Sequence, residues 1–200
     1  REITDFDIDQ IARSGQCFRL RPLTKDAYSL TAFGKYLEIS QKGTEVAFSC
    51  TEQEFEALWN GYFDLDTDYA GFKKAIDPED FYLQEAARTG GGIRILRQEL
   101  WETIVTFIIS QQNNIPRIQK CVDALCREFG ETVLNFRGDT CDLFPEPEAL
   151  AGTSEERLRE LGLGYRAPYI VKTARMICEG EADLCELPAL GYEAAKERLL

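Results

Sequence analysis

Apolar and polar positions alternate through the first fifty residues. Cys17-Phe18-Arg19-Leu20 alternates, Tyr28 to Ala32 does so again before Gly34, and Tyr36 to Ser40 continues the pattern. Gln41-Lys42-Gly43-Thr44 then turns the chain into Val46-Ala47-Phe48. A period of two broken by turn residues predicts a small antiparallel meander. The period changes at Thr51. Thr51-Glu52-Gln53-Glu54 is a capping box, and Phe55, Leu58, Trp59 and Tyr62 follow at helical spacing. Further helices are predicted near 68–76 and 78–88, the latter opened by Pro78 with Glu79 and Asp80 in its first turn, and Gly90-Gly91-Gly92 ends that stretch. An apolar helix from Glu99 to Ser110 is predicted to be buried nearly all round. After a polar break, a helix runs from Ile115 to Phe129, with Pro116 in its first turn and Gly130 closing it. Residues 131–146 read as a looser connection. Helices recur near 147–152, 154–161, 167–179 and 191–199. The predicted fold is therefore α+β, a small antiparallel β-sheet domain with flanking helices over 1–90, followed by a mainly α-helical bundle over 91–200.

Composition narrows the chemistry. The 200 residues are 44% hydrophobic and 29% charged, which suits a folded globular chain rather than a disordered one. No apolar run nears the ~20 residues that a membrane helix requires, so no membrane partner is expected. Histidine is absent, which removes Ser-His-Asp, Cys-His and His-ligated metal chemistry from within these residues. The seven cysteines, with no Cys-x-x-Cys among them, predict reduced and buried thiols in a cytosolic protein. The net charge of −12 argues against simple nucleic-acid binding, which needs Lys and Arg to neutralise phosphates. Only a local basic patch, or basic residues outside this stretch, would overcome it.

Three segments carry candidate chemistry. Gln111-Gln112-Asn113-Asn114 places four amides between two apolar helices. Amides can fill a gap in a base stack and bond base edges, with Arg117 one turn further on; a solvated loop with Asn114 as helix cap is the alternative. Leu161-Gly162-Leu163-Gly164-Tyr165-Arg166 has two glycines two apart, which allow a tight turn projecting Tyr165 and Arg166. An aromatic beside a guanidinium suits wedging between bases and holding an orphaned one; an interhelical turn with Tyr165 in the core is the alternative. That stretch also mimics a helix-hairpin-helix loop. In the lyase-type hairpin a Lys sits two residues after the second glycine; here that position is Arg166, and a guanidinium cannot act as an amine nucleophile. Gly15-Gln16-Cys17-Phe18-Arg19 opens the first predicted strand, where glycine either lets a carbonyl approach a ligand or simply makes a turn. None of the eight lysines lies in an apolar, glycine-rich pocket context, and Lys73, Lys74 and Lys120 read as solvated helix positions.

Taken in order, these pieces resemble the 8-oxoguanine DNA glycosylase family of the helix-hairpin-helix DNA glycosylase superfamily. They are Gly15 to Arg19, Gly92 to Gln98, Phe107 to Ile118, Leu158 to Tyr169, and Tyr192-Glu193-Ala194-Ala195. The resemblance implies a base-excision repair enzyme, a DNA N-glycosylase with AP lyase activity, that flips 8-oxoguanine out of duplex DNA. It implies that Gly15, Gln16 and Phe18 meet the flipped base. The carbonyl of Gly15 would accept a hydrogen bond from N7–H, a proton that normal guanine lacks. It also implies that Gln112, Asn113, Asn114, Arg117, Tyr165 and Arg166 meet the DNA. Gln112 would fill the hole left by the flipped nucleotide, where Asn is usual. Arg117 and Arg166 would hold the estranged cytosine, and Tyr165 would wedge into the duplex.

The family pattern continues with Leu-Pro-Gly-Val-Gly-x-Lys-Val-Ala-Asp, which supplies the nucleophilic Lys, and then a catalytic Asp. Here that run should begin at Leu200. The expectation is a catalytically incomplete fragment that lacks the hairpin and C-terminal helices and is inactive alone. No cofactor or metal is expected. The partner is double-stranded DNA containing oxidised guanine. The protein is expected to be a monomer and cytoplasmic, associated with the nucleoid if bacterial and nuclear if eukaryotic. The alternatives are a non-enzymatic damaged-DNA-binding protein and a helical protein-interaction module.

Overall fold

The computed structural model describes the backbone of residues 1–199 and the side chains of residues 1–198. The chain divides into two compact units, Arg1–Gln98 and Glu99–Leu200.

In the first unit, β1 (Arg21–Thr24), β2 (Ala27–Ala32), β3 (Lys35–Lys42) and β4 (Glu45–Phe48) form an antiparallel sheet in sequence order. The register pairs Leu30 with Leu37 and Tyr28 with Ile39. Period-two patterning puts Tyr28, Leu30, Leu37, Ile39 and Val46 into one buried cluster with Phe6, Ile8 and Ile11. The short helix α1 (Ile8–Arg13) supplies Ile8 and Ile11 and is capped by Asp7, whose carboxylate accepts the Gln10 N–H. Cys17 to Leu20, expected as a strand, is irregular, and the sheet starts at Arg21. Cys17, Phe18 and Leu20 are nonetheless buried, so their apolar character serves packing without strand pairing.

The capping box forms as its sequence requires: Thr51 Oγ1 accepts the Glu54 N–H at 3.2 Å. The helix that follows begins as α2 (Glu52–Glu54), widens to a π-helical turn over Phe55–Trp59 and ends as α3 (Asn60–Tyr62). Its five-residue step aligns Trp59 Nε1 with Glu54 Oε1 at 2.9 Å, giving the fully buried indole a partner. Phe55, Trp59, Tyr62 and Phe63 complete the core in edge-on aromatic contacts. Helix α4 (Tyr69–Lys74) is capped by Asp68 and α5 (Phe81–Thr89) by Asp80, three residues past the Pro78 at which the sequence predicted its start.

The division after Gln98 falls later than the expected boundary at 90/91, and the reason is polar. The Asp7 N–H donates to Gly92 O at 2.9 Å, the Gly92 N–H to Gln10 Oε1 at 3.0 Å and the Arg97 N–H to Tyr62 O at 2.9 Å. Residues 92–98 are thus bonded along their length to the sheet unit. Lys73, expected to be solvated, is half-buried, ion-paired with Asp5 and bonded to Gly91 O.

In the second unit, α6 (Leu100–Ser110) and α7 (Ile115–Phe129) are followed by a two-stranded hairpin of β5 (Thr132–Leu134) and β6 (Thr140–Asp142). The hairpin lies where a loose connection was expected; its strands are three residues each, too short for a period to show. Helices α8 (Pro147–Ala151), α9 (Glu155–Glu160), α10 (Ala167–Cys178) and α11 (Tyr192–Leu199) complete the unit, and α10 packs on α8, α9 and α6. The fully buried Leu150, Leu158, Leu163, Ile170 and Ala174 mark its centre. Helix α6 buries Val105 and Ile109, but Phe107 is 67% exposed, against the expectation of burial nearly all round. No cysteine among the described residues is in a disulfide. Cys17, Cys121 and Cys126 are buried as expected, whereas Cys178 and Cys185 are exposed. No helix among the described residues is long and apolar enough to cross a membrane.

Candidate nucleic-acid interface

The polar break between α6 and α7 is a tight turn, and its four amides divide their work. Asn113 Nδ2 donates to Ile109 O at 2.9 Å, and Asn114 Oδ1 accepts the Arg117 N–H at 3.1 Å. These two side chains cap the end of one helix and the start of the next. Gln111 Nε2 reaches back to Phe107 O at 3.3 Å. Gln112 differs from all three. It stands at φ 47°, in the left-handed region that costs a β-carbon-bearing residue energy, and its exposed side chain makes no hydrogen bond among the described residues.

The strain at Gln112 is held by the segment between α9 and α10. The Gly162-Leu163-Gly164 turn reverses the chain between α9 and α10, with Gly162 at φ 92° and Gly164 at φ 58°, values that favour glycine. It delivers Tyr165 and Arg166 at the start of α10. Arg166 is only 4% exposed. Its Nε donates to Gln111 O at 3.1 Å and its Nη2 to Gln112 O at 3.2 Å, with a further bond from Nη2 to Gln111 O. The Tyr165 hydroxyl donates to Gln111 O at 3.0 Å, and the guanidinium carbon of Arg166 lies 4.5 Å from the centre of the Tyr165 ring. The ring itself stays 55% exposed, so it is no core residue. Arg117, exposed on the first turn of α7, reaches Gly162 O at 3.5 Å, and the buried thiol of Cys121 lies 3.7 Å from the same carbonyl. Burial pushes the Cys121 thiol up, against the opposing pull of Arg117 and Arg166.

The two segments singled out in this unit by sequence therefore form one surface. Gln112, Arg117 and Tyr165 project from it, while Asn113, Asn114 and Arg166 hold it together. Phe107, Ile115 and Tyr169 add exposed apolar surface on α6, α7 and α10. Sequence reasoning passed over those three because helical periodicity reads apolar residues as core. Such a mixture of amide, guanidinium and stacking surface can contact unpaired bases and their edges.

The third segment lies in the other unit. Gly15 takes φ 80°. Gln16 is bound at both ends of its amide, with Nε2 3.0 Å from Arg94 O and Oε1 accepting the Leu96 N–H at 3.0 Å. Phe18 is 8% exposed. Arg94, which the sequence marked only as part of the Gly92 to Gln98 match and with no role of its own, is buried to 4% exposure. It donates to the carbonyls of Asp5, Asp64, Thr67 and Thr4 at 2.7 to 3.4 Å. Beside it, Asp64 accepts Arg97 Nη2 at 2.7 Å, the Thr67 hydroxyl at 2.9 Å and the Tyr69 hydroxyl at 3.0 Å. Burial pushes the Asp64 carboxyl up, but these donors outweigh it and hold it below the ordinary carboxylate value.

The family model for the 8-oxoguanine DNA glycosylase N-terminal domain matches residues 1–104, and that for the HhH-GPD superfamily base excision DNA repair protein matches residues 105–197. The N-glycosylase/DNA lyase of Saccharomyces cerevisiae is 46% identical over 93 residues, covering 46% of this chain and 25% of its own length. N-glycosylase/DNA lyase OGG1 of Arabidopsis thaliana is 28% identical over 207 residues, covering 91% of this chain and 56% of its own length. The chain thus spans between a quarter and just over half of these curated relatives. The Clostridium acetobutylicum 8-oxoguanine glycosylase/lyase, solved with double-stranded DNA containing cytosine opposite 8-oxoG, superimposes with a TM-score of 0.94 at 34% identity. That match covers 100% of this chain and 68% of the other.

Proposed function

Because the chain belongs to the 8-oxoguanine DNA glycosylase family, we propose that the protein flips oxidised guanine out of duplex DNA and cleaves its N-glycosidic bond. In this reading the Gly15 carbonyl accepts N7–H of the oxidised base, and Phe18 lies beside it. Gln112 fills the vacated place in the stack, Tyr165 wedges beside it, and Arg117 bonds the estranged cytosine. Arg166 serves cytosine recognition from its buried position by holding the turn, and Asn113 and Asn114 serve it as caps.

The chemical step needs a neutral amine. A Lys nitrogen attacks C1′, the C1′–N bond breaks, and the base leaves with the bonding pair and takes up a proton. The sugar ring opens to a Schiff base, and β-elimination expels the 3′ phosphate. None of the eight lysines within the chain stands where the resemblance expects that Lys.

The observation that carries the reading is the turn at Gln112. Its backbone is strained, its exposed side chain makes no hydrogen bond among the described residues, and its carbonyl is held by the same Arg166 that stacks on Tyr165. The test is a borohydride trap on duplex DNA with 8-oxoguanine opposite cytosine. The full-length protein is expected to give a covalent adduct and a nicked strand, and residues 1–200 alone neither. An adduct with residues 1–200 would place the nucleophile among their own lysines. A full-length protein that binds the lesion without cutting would be a damaged-DNA binder. One without any salt-dependent DNA affinity would fit the charge of −12 and an interaction module instead.

A further inference from the structure

We infer that Gln16 and Gln98 are positioning residues that fix the direction of the Gly15 carbonyl and so set how strictly an oxidised purine is told from its parent. The inference rests on the role proposed above for Gly15.

The Gly15 carbonyl and the Gln16 N–H belong to one peptide plane, so a contact on that N–H orients the carbonyl directly and bonds to the rest of Gln16 limit how far the plane can turn. Gln16 is held on three sides. Its Nε2 donates to Ser14 Oγ and to Arg94 O, both at 3.0 Å, and its Oε1 accepts the Leu96 N–H at 3.0 Å. Its own carbonyl accepts Gln98 Nε2 at 2.7 Å, and its N–H faces Ser14 Oγ at 3.5 Å. Ser14 in turn donates to Ile11 O at 2.7 Å, at the end of α1. The far anchor is as firm. The Ile95 N–H donates to the Tyr69 hydroxyl at 3.0 Å, and the Arg94 side chain bonds four backbone carbonyls.

The side chain of Gln16 thus has both ends of its amide engaged within the protein and serves as a staple rather than a base contact. A carbonyl fixed this way accepts from N7–H of an oxidised purine and repels the N7 lone pair of the unoxidised one. A carbonyl free to turn aside would lose the repulsion first, and discrimination would fall mainly through tighter binding of the undamaged base.

The test uses the full-length protein and competition binding with duplexes carrying 8-oxoguanine or guanine opposite cytosine, together with the preference for cytosine over adenine opposite the lesion. Gln98→Glu sets an acceptor against the Gln16 carbonyl, and Gln16→Met keeps the bulk without the bonds. Each is expected to lower discrimination of the lesion from guanine about tenfold, the scale of one lost hydrogen bond, with opposite-base preference unchanged and only a small drop in melting temperature. Gln98→Asn, which keeps a donor, should recover part of it. If the variants discriminate as the wild type does, the positioning role is wrong while the Gly15 reading stands. Loss of both selectivities together with a much lower melting temperature would reduce the two glutamines to a structural role and overturn the proposal. A wild type that binds both duplexes alike would overturn the Gly15 reading itself.

Discussion

Each unit of this protein buries one guanidinium to 4% exposure, Arg94 in the sheet unit and Arg166 in the helical one. Both turn their donors to backbone carbonyls, and both stack on a tyrosine, with ring distances of 4.6 and 4.5 Å. The surroundings differ. Arg94 bonds carbonyls from Thr4, Asp5, Asp64 and Thr67, drawn from distant parts of its unit, and its Tyr69 is bonded to Asp64. Among the described residues Arg166 bonds only Gln111 and Gln112, adjacent in one turn, and its Tyr165 is mostly exposed. A guanidinium is fork-shaped, always charged and rich in donors, so it can gather several carbonyls that nothing else satisfies. Where the carbonyls come from decides the result. In the first unit the fork ties a scaffold together; in the second it sustains one strained turn at the surface. Stability should therefore depend on Arg94, and ligand contact on Arg166.

Substitution of Arg94 gives the largest effect. Arg94→Ala leaves buried carbonyls without a donor and is expected to lower unfolding free energy by about 3–5 kcal/mol in urea titration. Arg94→Lys should recover less than half of that, because an ammonium cannot span the same acceptors. A loss below about 1 kcal/mol would end the comparison, since Arg94 would then be no scaffold. Arg166→Ala should cost only about 1–2 kcal/mol of stability, yet weaken binding to lesion DNA by at least about tenfold in the full-length protein. Equal losses of stability at the two positions would show that both arginines are structural.

A pH titration sharpens the contrast within the first unit. The Asp64 carboxyl lies below its ordinary value in the folded state, so the unfolded chain takes up the proton first as pH falls. Its contribution is fully present above the ordinary carboxylate value of about 3.9 and is lost as pH falls through the folded value. Arg97 is itself mostly exposed, so solvent screening limits this to about 1 kcal/mol. Urea midpoints measured from pH 6 down to pH 2 should decline less in Asp64→Asn than in the wild type. Asn is the suitable replacement because it tolerates the φ of 52° that Asp64 adopts. The smallest effect has the opposite sign. Gln112→Gly should relieve the left-handed strain and raise stability by about 0.5–1 kcal/mol, while lesion affinity falls. A stabilised variant with undiminished affinity would remove Gln112 from the interface.

Much of this was legible in the residues themselves. Period-two patterning gave β2 to β4 to within a residue or two, because one face of each strand is buried and a slip would expose it. The caps at Thr51 and Asn114 were readable because a cap acts within three residues of itself. The two glycines at 162 and 164 announced their turn by residue type. What the sequence could not show was long-range. Arg94 looks like any charged residue between apolar neighbours, and its acceptors Thr4 and Asp5 lie about ninety positions away along the chain. Beside the cap Asn114, the amides of Gln111, Gln112 and Asn113 looked alike, and only the path of the turn left the Gln112 side chain unbonded among the described residues. Arg166 read as a base contact, and only the packing of α10 showed its guanidinium turned inward to the Gln111 and Gln112 carbonyls. Local rules of period, capping and turn chemistry depend on neighbours within a few residues, and composition carries those. A polar group's partner depends on which distant backbone the fold brings to it, and the tertiary structure alone decided that.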